Sequence, residues 1–307
     1  MASLRDLRSR ITSVGNTQQL TRAMKMVAAA KLRRAQENIF ATRPYSYKIA
    51  EIITRLKGQI DTSEHPLFQP RESPSKVLLV IITADRGLAG AFNSNVIKLA
   101  EQAINQKYAA HRDSGRLFLT CVGRKGHDHF KRRGYQLVGD FRGVFDKLSF
   151  STADTVASVA EDGFLAGKWD EVYVLYNEFK NTISQNRIME PFIPIPMERF
   201  LTPVMESDTG DTAQVKSKYV DDPIYEPGVD EILNIMVPRF LNYQIWRALL
   251  ESNASEQGAR MVAMDNATTN AGDLLKELKL KYNRARQDAI TTELIEITSG
   301  ADAMEAG

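Results

Sequence analysis

The loop Asp85-Arg86-Gly87-Leu88-Ala89-Gly90 is the part of the sequence that most resembles a ligand-binding turn. It follows a short apolar run, and turns after the first strand of an α/β sheet often bind phosphate groups. A phosphate-binding turn would need a third glycine or a closing Gly-Lys-Ser/Thr, which this loop lacks. The fragment Gly167-Lys168-Trp169 lacks the hydroxyl that would bind Mg²⁺. We therefore interpret the loop as a strand-to-helix turn that requires its two glycines.

A second candidate is a histidine pair in a basic patch. His127 and His129 flank Asp128, between Arg124-Lys125 and Lys131-Arg132-Arg133. Residues two apart on a helix do not share a face, so the two imidazoles are not predicted to bind one metal ion. We interpret this segment as a solvated helix face. Nucleic-acid binding through basic residues is the alternative, and the near-neutral net charge of +2 argues against it.

The remaining motifs predict no catalytic site and no cofactor. No Ser/Cys–His nucleophile pair, paired carboxylates or Cys–His metal spacing stands out in the sequence. The single cysteine, Cys121, cannot form an internal disulfide and is typical of a reducing compartment. A missing motif does not by itself exclude catalysis, so the residues alone indicate a helical rod on a central domain that serves other subunits.

The distribution of proline separates the long helices from the middle of the chain. None of the 11 prolines lies in residues 1–43 or 239–307. Because proline breaks helix interiors at a cost of about 3 kcal/mol, both ends can form long helices. Residues 1–58 also contain twelve Lys/Arg against three Asp/Glu, so this helix is basic and suits an acidic partner.

Both ends show the 3–4 spacing of a coiled-coil seam. The N-terminal seam contains Leu4, Leu7, Ile11, Val14, Gln18, Thr21, Lys25, Ala28, Leu32, Ala35 and Ile39. Polar residues interrupt it at 18–25, where Leu20, Met24 and Val27 offer a neighbouring apolar stripe, so the seam is predicted to drift there. The pattern resumes after Pro44, and Gly58 is a plausible C-cap. The C-terminal seam contains Leu241, Ile245, Ala248, Ser252, Ser255, Ala259 and Val262, followed by Leu274, Leu278, Tyr282, Ala285 and Ala289.

The middle of the chain alternates between strand and helix patterns. Strands are predicted at 77–83, 117–122 and 172–176, with a proline-rich edge strand at 192–196. Helices are predicted at 93–110, 125–133 and 152–166. This alternation predicts a mostly parallel sheet with helices on both faces.

The predicted fold class is therefore α/β with a long antiparallel coiled coil. The N- and C-terminal helices form the rod, and the centre is a Rossmann-like, mostly parallel sheet domain. The boundaries are 1–58 for the N-terminal helix, 75–200 for the α/β domain, 201–227 for a polar loop and 228–307 for the C-terminal helix.

Several stretches resemble one known family. Residues 290–303 match the C-terminal signature of ATP synthase gamma subunits at Ile290, Thr291, Glu293, Glu296, Gly300 and Ala301. Residues 16–31 resemble the opening helix of that family, and the motifs at 83–88, 254–261 and 282–287 follow in family order. The chain is thereby identified as a member of the gamma subunits of bacterial F-type ATP synthases. Ala89 stands where many relatives have cysteine, and 199–225 has no cysteine, so thiol regulation is not expected.

The resemblance implies a central-stalk rotor that couples proton or other ion flow to ATP synthesis and has no catalytic site of its own. Its implied partners are the alpha and beta subunits of the catalytic hexamer, the epsilon subunit and the membrane ring of c subunits, and not nucleic acid. Its implied place is the cytoplasmic face of the bacterial inner membrane, as a peripheral protein. A basic coiled-coil nucleic-acid-binding or scaffold protein remains the alternative.

The resemblance also implies which residues contact the beta subunit. They are Met24, Lys25, Glu256, Arg260, Arg286, Gln287 and Thr291. Glu256 and Arg260 share a helix face, and the alternative interpretation is an exposed pair within the helix. Gln287 and Thr291 also share a face, with Arg286 about 100° away.

Overall fold

The computed structural model describes residues 4–57, 65–196 and 228–305. The helices are α1 (Leu4–Lys57), α2 (Phe92–Gln106), α3 (Ala109–Asp113), α4 (Arg124–Lys131), α5 (Phe150–Leu165) and α6 (Val229–Glu305). The strands are β1 (Val77–Ile82), β2 (Leu117–Val122), β3 (Gln136–Leu137), β4 (Glu171–Phe179) and β5 (Gln185–Ile193). The predicted polar loop 201–227 and the predicted cap at Gly58 lie outside the described residues.

The five strands form one sheet in the order β3-β2-β1-β4-β5. The β1–β2, β1–β4 and β2–β3 pairs are parallel, and only β4–β5 is antiparallel. The outer strand β5 contains Pro191, which is tolerated because an edge strand leaves one side of its backbone unpaired. The predicted mostly parallel sheet is thus confirmed. The edge strand predicted at 192–196 instead spans Gln185–Ile193, so Pro194 and Pro196 lie after its end.

The central strand β1 shows why the sheet needs helices on both faces. All six of its residues are buried, as expected for a parallel strand covered on both sides. Val77, Leu79 and Ile81 pack in one cluster with residues of α2, including Val96 and Ala100. The alternate residues Leu78, Val80 and Ile82 pack in a second cluster with α5 and with the 233–249 part of α6. The core of the α/β domain therefore lies on both sides of the sheet.

The chain divides into two compact units, one made of Met1–Ala28 and Met261–Gly307 and the other of Ala29–Arg260. In the first unit, α1 and α6 pair antiparallel. Lys25 contacts Asp265, and Thr21 contacts Thr268. Gln18 lies 2.8 Å from the position that a Cβ on Gly272 would occupy. The residue numbers of the contacts thus decrease along α1 as they increase along α6. The predicted antiparallel pairing is confirmed.

The predicted drift of the N-terminal seam is wrong. Thr21 is buried, whereas Leu20 and Val27 of the neighbouring apolar stripe are exposed. The seam stays in place because its polar side chains find partners on α6: Thr21 meets the Thr268 hydroxyl at 2.8 Å, and the Gln18 amide donates to the Thr268 carbonyl. Ala28, Leu32, Ala35 and Ile39 are buried as expected.

Both long helices continue through a proline. Pro44 lies inside α1 and Pro238 inside α6. Each proline removes one backbone donor, a cost that packing of the flanking turns can offset. Next to Pro238, Val237, Phe240 and Leu241 are buried in the core of the α/β domain.

Candidate partner-contact surfaces

Met24 and Lys25 lie on α1 in the unit formed by the two helix ends, and both are half-buried. The Lys25 ammonium is 2.6 Å from the Asp265 carboxylate of α6, and the two side chains are 41% and 54% exposed. Lys25 is therefore paired within the chain but keeps a solvent-facing side. A second acidic group could approach that side.

Glu256 and Arg260 lie on α6 in the other unit, and they form a buried pair. Their closest nitrogen–oxygen distance is 2.6 Å, and the side chains of Arg260 and Glu256 are only 12% and 5% exposed. Arg260 also donates to the Gly87 carbonyl at 3.2 Å. Burial raises the pKa of the Glu256 carboxyl, although the Arg260 charge acts in the opposite direction. The alternative of an exposed pair is thus wrong, since the pair ties α6 to the loop after β1.

The loop after β1 is organised by one carboxylate. Asp85 accepts hydrogen bonds from the backbone N–H groups of Arg124, Gly143 and Phe145. These donors would otherwise be free to bind an anion, and the Asp85 charge would repel a phosphate. Among the loop residues, Gly90 has a positive φ of 54°, but the other left-handed residue is Leu88, at φ 61°, and not Gly87. The backbone conformation therefore favours glycine at position 90 but not at position 87, so the expectation that the turn requires both glycines is half correct.

Ala89 has a packing role. It is buried with Ala84 and Phe92, against Ala259 of α6.

The solvated-face interpretation of the histidine segment is wrong for one of its two histidines. The side chain of His127 is buried, and neither ring nitrogen has a partner among the described residues. His129 is half-buried and lies 2.9 Å from the Glu101 carboxylate. The two imidazoles thus occupy different environments, as the spacing predicts. No cluster of three or more potential metal ligands occurs in the described parts of the chain.

Arg286, Gln287 and Thr291 lie near the end of α6 and are exposed. The Thr291 hydroxyl donates to the Gln287 carbonyl at 2.9 Å, which places both residues on one helix face. The Arg286 guanidinium forms no hydrogen bond or ion pair with any described residue. Its five donors are thus available to a carboxylate.

The same end of α6 carries exposed aliphatic side chains. Ile290, Leu294, Ile295 and Ile297 are 49–63% exposed. Ile290, Leu294 and Ile297 follow i, i+4, i+7 spacing and share a face. From residue 279 to 301, only Tyr282 and Ala285 are even half-buried. An apolar helix face of this length without cover is typical of a surface that another chain covers.

Sequence reasoning missed a buried charged cluster between α6 and the β4–β5 pair. The Arg247 guanidinium lies 2.7 Å from the Glu190 carboxylate and donates to the Tyr176 hydroxyl at 2.8 Å. Four residues further along α6, Glu251 accepts the Phe179 N–H at 2.9 Å. The available signal was Arg247 within, and Glu251 directly after, the largely apolar stretch 240–250, and it does not identify their partners.

The described helices include none that is long and apolar enough to cross a membrane. Fold and surfaces together define an α/β protein with a long antiparallel helix pair, and the C-terminal end of this pair is not covered by any of the described residues.

Known proteins share this class across the whole chain. The family model described as ATP synthase matches residues 3–304. The ATP synthase gamma chain of Salinibacter ruber is 58% identical over 99% of both chains, and that of Chloroherpeton thalassium is 49% identical over 99% of both. The chain therefore belongs to the ATP synthase gamma-chain family, which supplies a subunit of the ATP synthase complex.

Solved structures agree on the fold. A chain of the Euglena gracilis mitochondrial ATP synthase, solved with OSCP, F1 and the c-ring, has a TM-score of 0.63 at 19% identity and covers 99% of this chain and 95% of its own. A chain of the Tetrahymena thermophila mitochondrial enzyme, from its central stalk and c-ring, has a TM-score of 0.54 at 26% identity. It covers 81% of this chain and 99% of its own. The predicted fold class is thus confirmed.

Proposed function

We propose that this chain is the rotor of the central stalk of a bacterial ATP synthase and has no catalytic site of its own. The observation that carries the proposal is the family match, which extends over residues 3–304. Rotation of the shaft, driven by proton or other ion flow, would change the nucleotide sites of the beta subunits in turn. ATP hydrolysis would drive the same shaft in the opposite direction.

The exposed end of α6 supports a contact with the catalytic hexamer of alpha and beta subunits. A helix that rotates inside a ring of subunits needs an apolar surface that moves past its neighbours without fixed contacts. It also needs a few polar groups that bind the ring at defined rotational positions. Ile290, Leu294 and Ile297 supply the first, because they are exposed and share a face. Arg286, Gln287 and Thr291 supply the second, as the contact with a loop of the beta subunit.

Two further contacts with the beta subunit are proposed, one in each unit. Met24 and Lys25 supply the first, and Glu256 and Arg260 supply the second. Lys25 keeps a solvent-facing side beside Asp265 and can meet an acidic loop. Glu256 and Arg260 are mostly buried, so their contact would involve the exposed edge of the Arg260 guanidinium while the pair remains intact.

The epsilon subunit and the ring of c subunits are the proposed partners of the remaining surface. The proposed location is the cytoplasmic face of the inner membrane, where a peripheral subunit would be held by the c-ring. Both proposals rest on family membership.

The experiment compares the purified chain with the reconstituted complex. We expect the purified chain to show no ATP hydrolysis and no tight ATP binding in calorimetry, whereas the complex should hydrolyse ATP and pump ions in vesicles. Omission of the chain should abolish ion pumping. ATP turnover by the chain alone would contradict the proposal, and so would a steeply salt-dependent affinity for DNA.

A further inference from the structure

A small basic cleft lies at the amino-terminal edge of the sheet, where the chain enters β2 and β3. These strands are parallel neighbours, so the turns that precede them lie at the same edge. The turns contain Gly115 and Gly134, with φ values of 69° and 76°. Both conformations favour glycine, and they bring the α3–β2 and α4–β3 connections together. The cleft between them has a volume of about 250 Å³.

The lining of the cleft is rich in hydrogen-bond donors. Arg112, Arg133, Tyr135 and Gln136 contribute side chains, and no acidic residue is among the lining residues. Guanidinium, amide and phenol groups are the donors that bind the oxygens of phosphate groups. Because ligand sites of drug-sized molecules start at about 300 Å³, this cleft fits one or two phosphate groups better than a whole nucleotide.

Both arginines are held in position by neighbours outside the cleft. Arg112 donates to the Asp113 carboxylate at 2.8 Å and to the Asn105 amide oxygen at 2.7 Å. Arg133 lies 3.2 Å from the His129 ring and 3.6 Å from the Glu101 carboxylate. The second terminal nitrogen of Arg133 has no partner in the described parts of the chain. The arginines are therefore pre-organised, which reduces the entropy lost when a ligand binds.

Two carboxylates, Asp113 and Glu101, partly neutralise these arginines. The attraction of an anion to the cleft therefore depends also on the other charged residues around it. Residues 112–116 and 131–136, which contain the two glycine turns, hold five Lys/Arg against one acidic residue, Asp113. Arg116, Lys131 and Arg132 are exposed and follow or precede the two glycine turns. The field at this edge of the sheet is therefore positive and would attract an anion.

We propose that this cleft binds a phosphate group, either as free phosphate or diphosphate or as the headgroup of an anionic phospholipid. Arg133 and Arg112 bind the phosphate oxygens, and Tyr135 and Gln136 complete the set of donors. The site is separate from the proposed contacts with the beta subunit. It depends on none of the residues assigned to rotation.

The test measures binding to the purified full-length chain at constant ionic strength. One arm uses equilibrium dialysis with labelled inorganic phosphate and with diphosphate, and the other uses sedimentation with vesicles of neutral lipid with or without phosphatidylglycerol. Arg133→Gln is the test variant. Arg187→Gln, an exposed arginine on the opposite edge strand β5, is the matched control.

We expect saturable binding that Arg133→Gln weakens about tenfold or more, whereas Arg187→Gln leaves it unchanged. If the soluble anions bind, the ligand is free phosphate or diphosphate. If only the anionic vesicles bind, the ligand is a lipid headgroup. In either case Arg133→Gln should weaken the binding. Arg133→Lys should retain part of the affinity, which separates lost donors from lost folding. Absence of saturable binding in both arms, or equal effects of Arg133→Gln and Arg187→Gln, would overturn the proposal.

Discussion

At the scale of single residues, burial decides what an ion pair contributes. Two pairs on α6 have the same i,i+4 spacing and the same nitrogen–oxygen distance of 2.6 Å, Glu256–Arg260 and Glu277–Lys281. The first is nearly buried, whereas the side chains of the second are 62% and 58% exposed. Water and salt screen the exposed pair, and only the buried pair leaves an uncompensated charge when one partner is removed.

Arg260→Met should therefore destabilise the purified chain by about 3 kcal/mol at pH 7.5, because it leaves the Glu256 carboxylate buried without its cation. Lys281→Met should cost far less, because water and salt screen the exposed pair. Urea unfolding of both variants measures the difference. Equal losses would show that the buried pair contributes no more than the exposed one.

The same pair predicts a pH dependence. The pKa of Glu256 is raised in the folded chain, so the folded state binds this proton more tightly than the unfolded state does. The contribution of this carboxyl to stability thus falls as pH rises through its folded pKa. Without Arg260 the cost of the charge is larger, so the loss caused by Arg260→Met should shrink from pH 7.5 to pH 5.5. Unfolding midpoints at both values check this, and a loss that grows on acidification would contradict it.

Arg286 is the residue best placed to test the proposed contact near the end of α6. Its guanidinium is exposed, so Arg286→Ala should leave the stability of the purified chain unchanged. In the reconstituted complex, loss of a hydrogen bond to a charged group should cost about 1.5–3 kcal/mol and slow ATP hydrolysis about tenfold or weaken assembly. Lys279→Ala, also exposed on α6, is the control. Indistinguishable effects of the two variants would remove Arg286 from the contact.

At the scale of elements, α6 changes character along its length. Its first part contributes Leu233, Val237 and Leu241 to the core of the α/β domain. Its middle is paired with α1 through small and polar residues such as Thr268 and Ala271, and Ala271 is buried. Its last part presents Ile290 and Leu294 to solvent. One helix therefore serves as core, as pairing partner and as exposed surface.

The exposed aliphatic face should contribute to assembly and not to folding. We expect the triple variant Ile290→Ser, Leu294→Ser, Ile297→Ser to leave urea unfolding of the purified chain unchanged, since these side chains are exposed. Assembly with alpha and beta subunits should weaken, because each aliphatic side chain contributes about 1.5–3 kcal/mol when fully buried. Co-purification of the complex measures assembly, with Asp288→Ser, Thr292→Ser as the control on other positions of these turns. Unimpaired assembly of the triple variant would show that the face remains uncovered.

At the scale of the whole molecule, local sequence patterns predict the helices and strands. The environment of the candidate contact residues depends on contacts between residues far apart in the sequence. The six-residue apolar run 77–82 and the 3–4 spacing at both ends were enough to predict β1 and the helix pair. The spacing of Glu256 and Arg260 places them on one face of the helix but does not say what covers that face. Arg260 on that face donates a hydrogen bond to the carbonyl of Gly87, which lies 173 positions away along the chain.

Polar residues were harder to place than apolar ones for the same reason. The basic residues around His127 predict a surface position, yet its side chain is buried. Arg247 is compensated by Glu190, a residue 57 positions away. Composition near a polar residue does not reveal a partner that the fold brings from another strand. The contact residues proposed on family resemblance remain predictions.

The whole complex should respond to oxidants and reductants independently of this chain. Cys121 is its single cysteine and lies buried in β2, where burial raises the pKa of the thiol to about 12. At neutral pH the reactive thiolate is therefore scarce, and an internal disulfide has no second partner. We expect dithiothreitol and diamide to leave ATP hydrolysis by the reconstituted complex unchanged, both in the wild type and in Cys121→Ala. The measurement uses other subunits whose cysteines have been replaced, so that any response comes from this chain. A response in the wild type that Cys121→Ala removes would show that the thiol is accessible during rotation, and that β2 opens in the working enzyme.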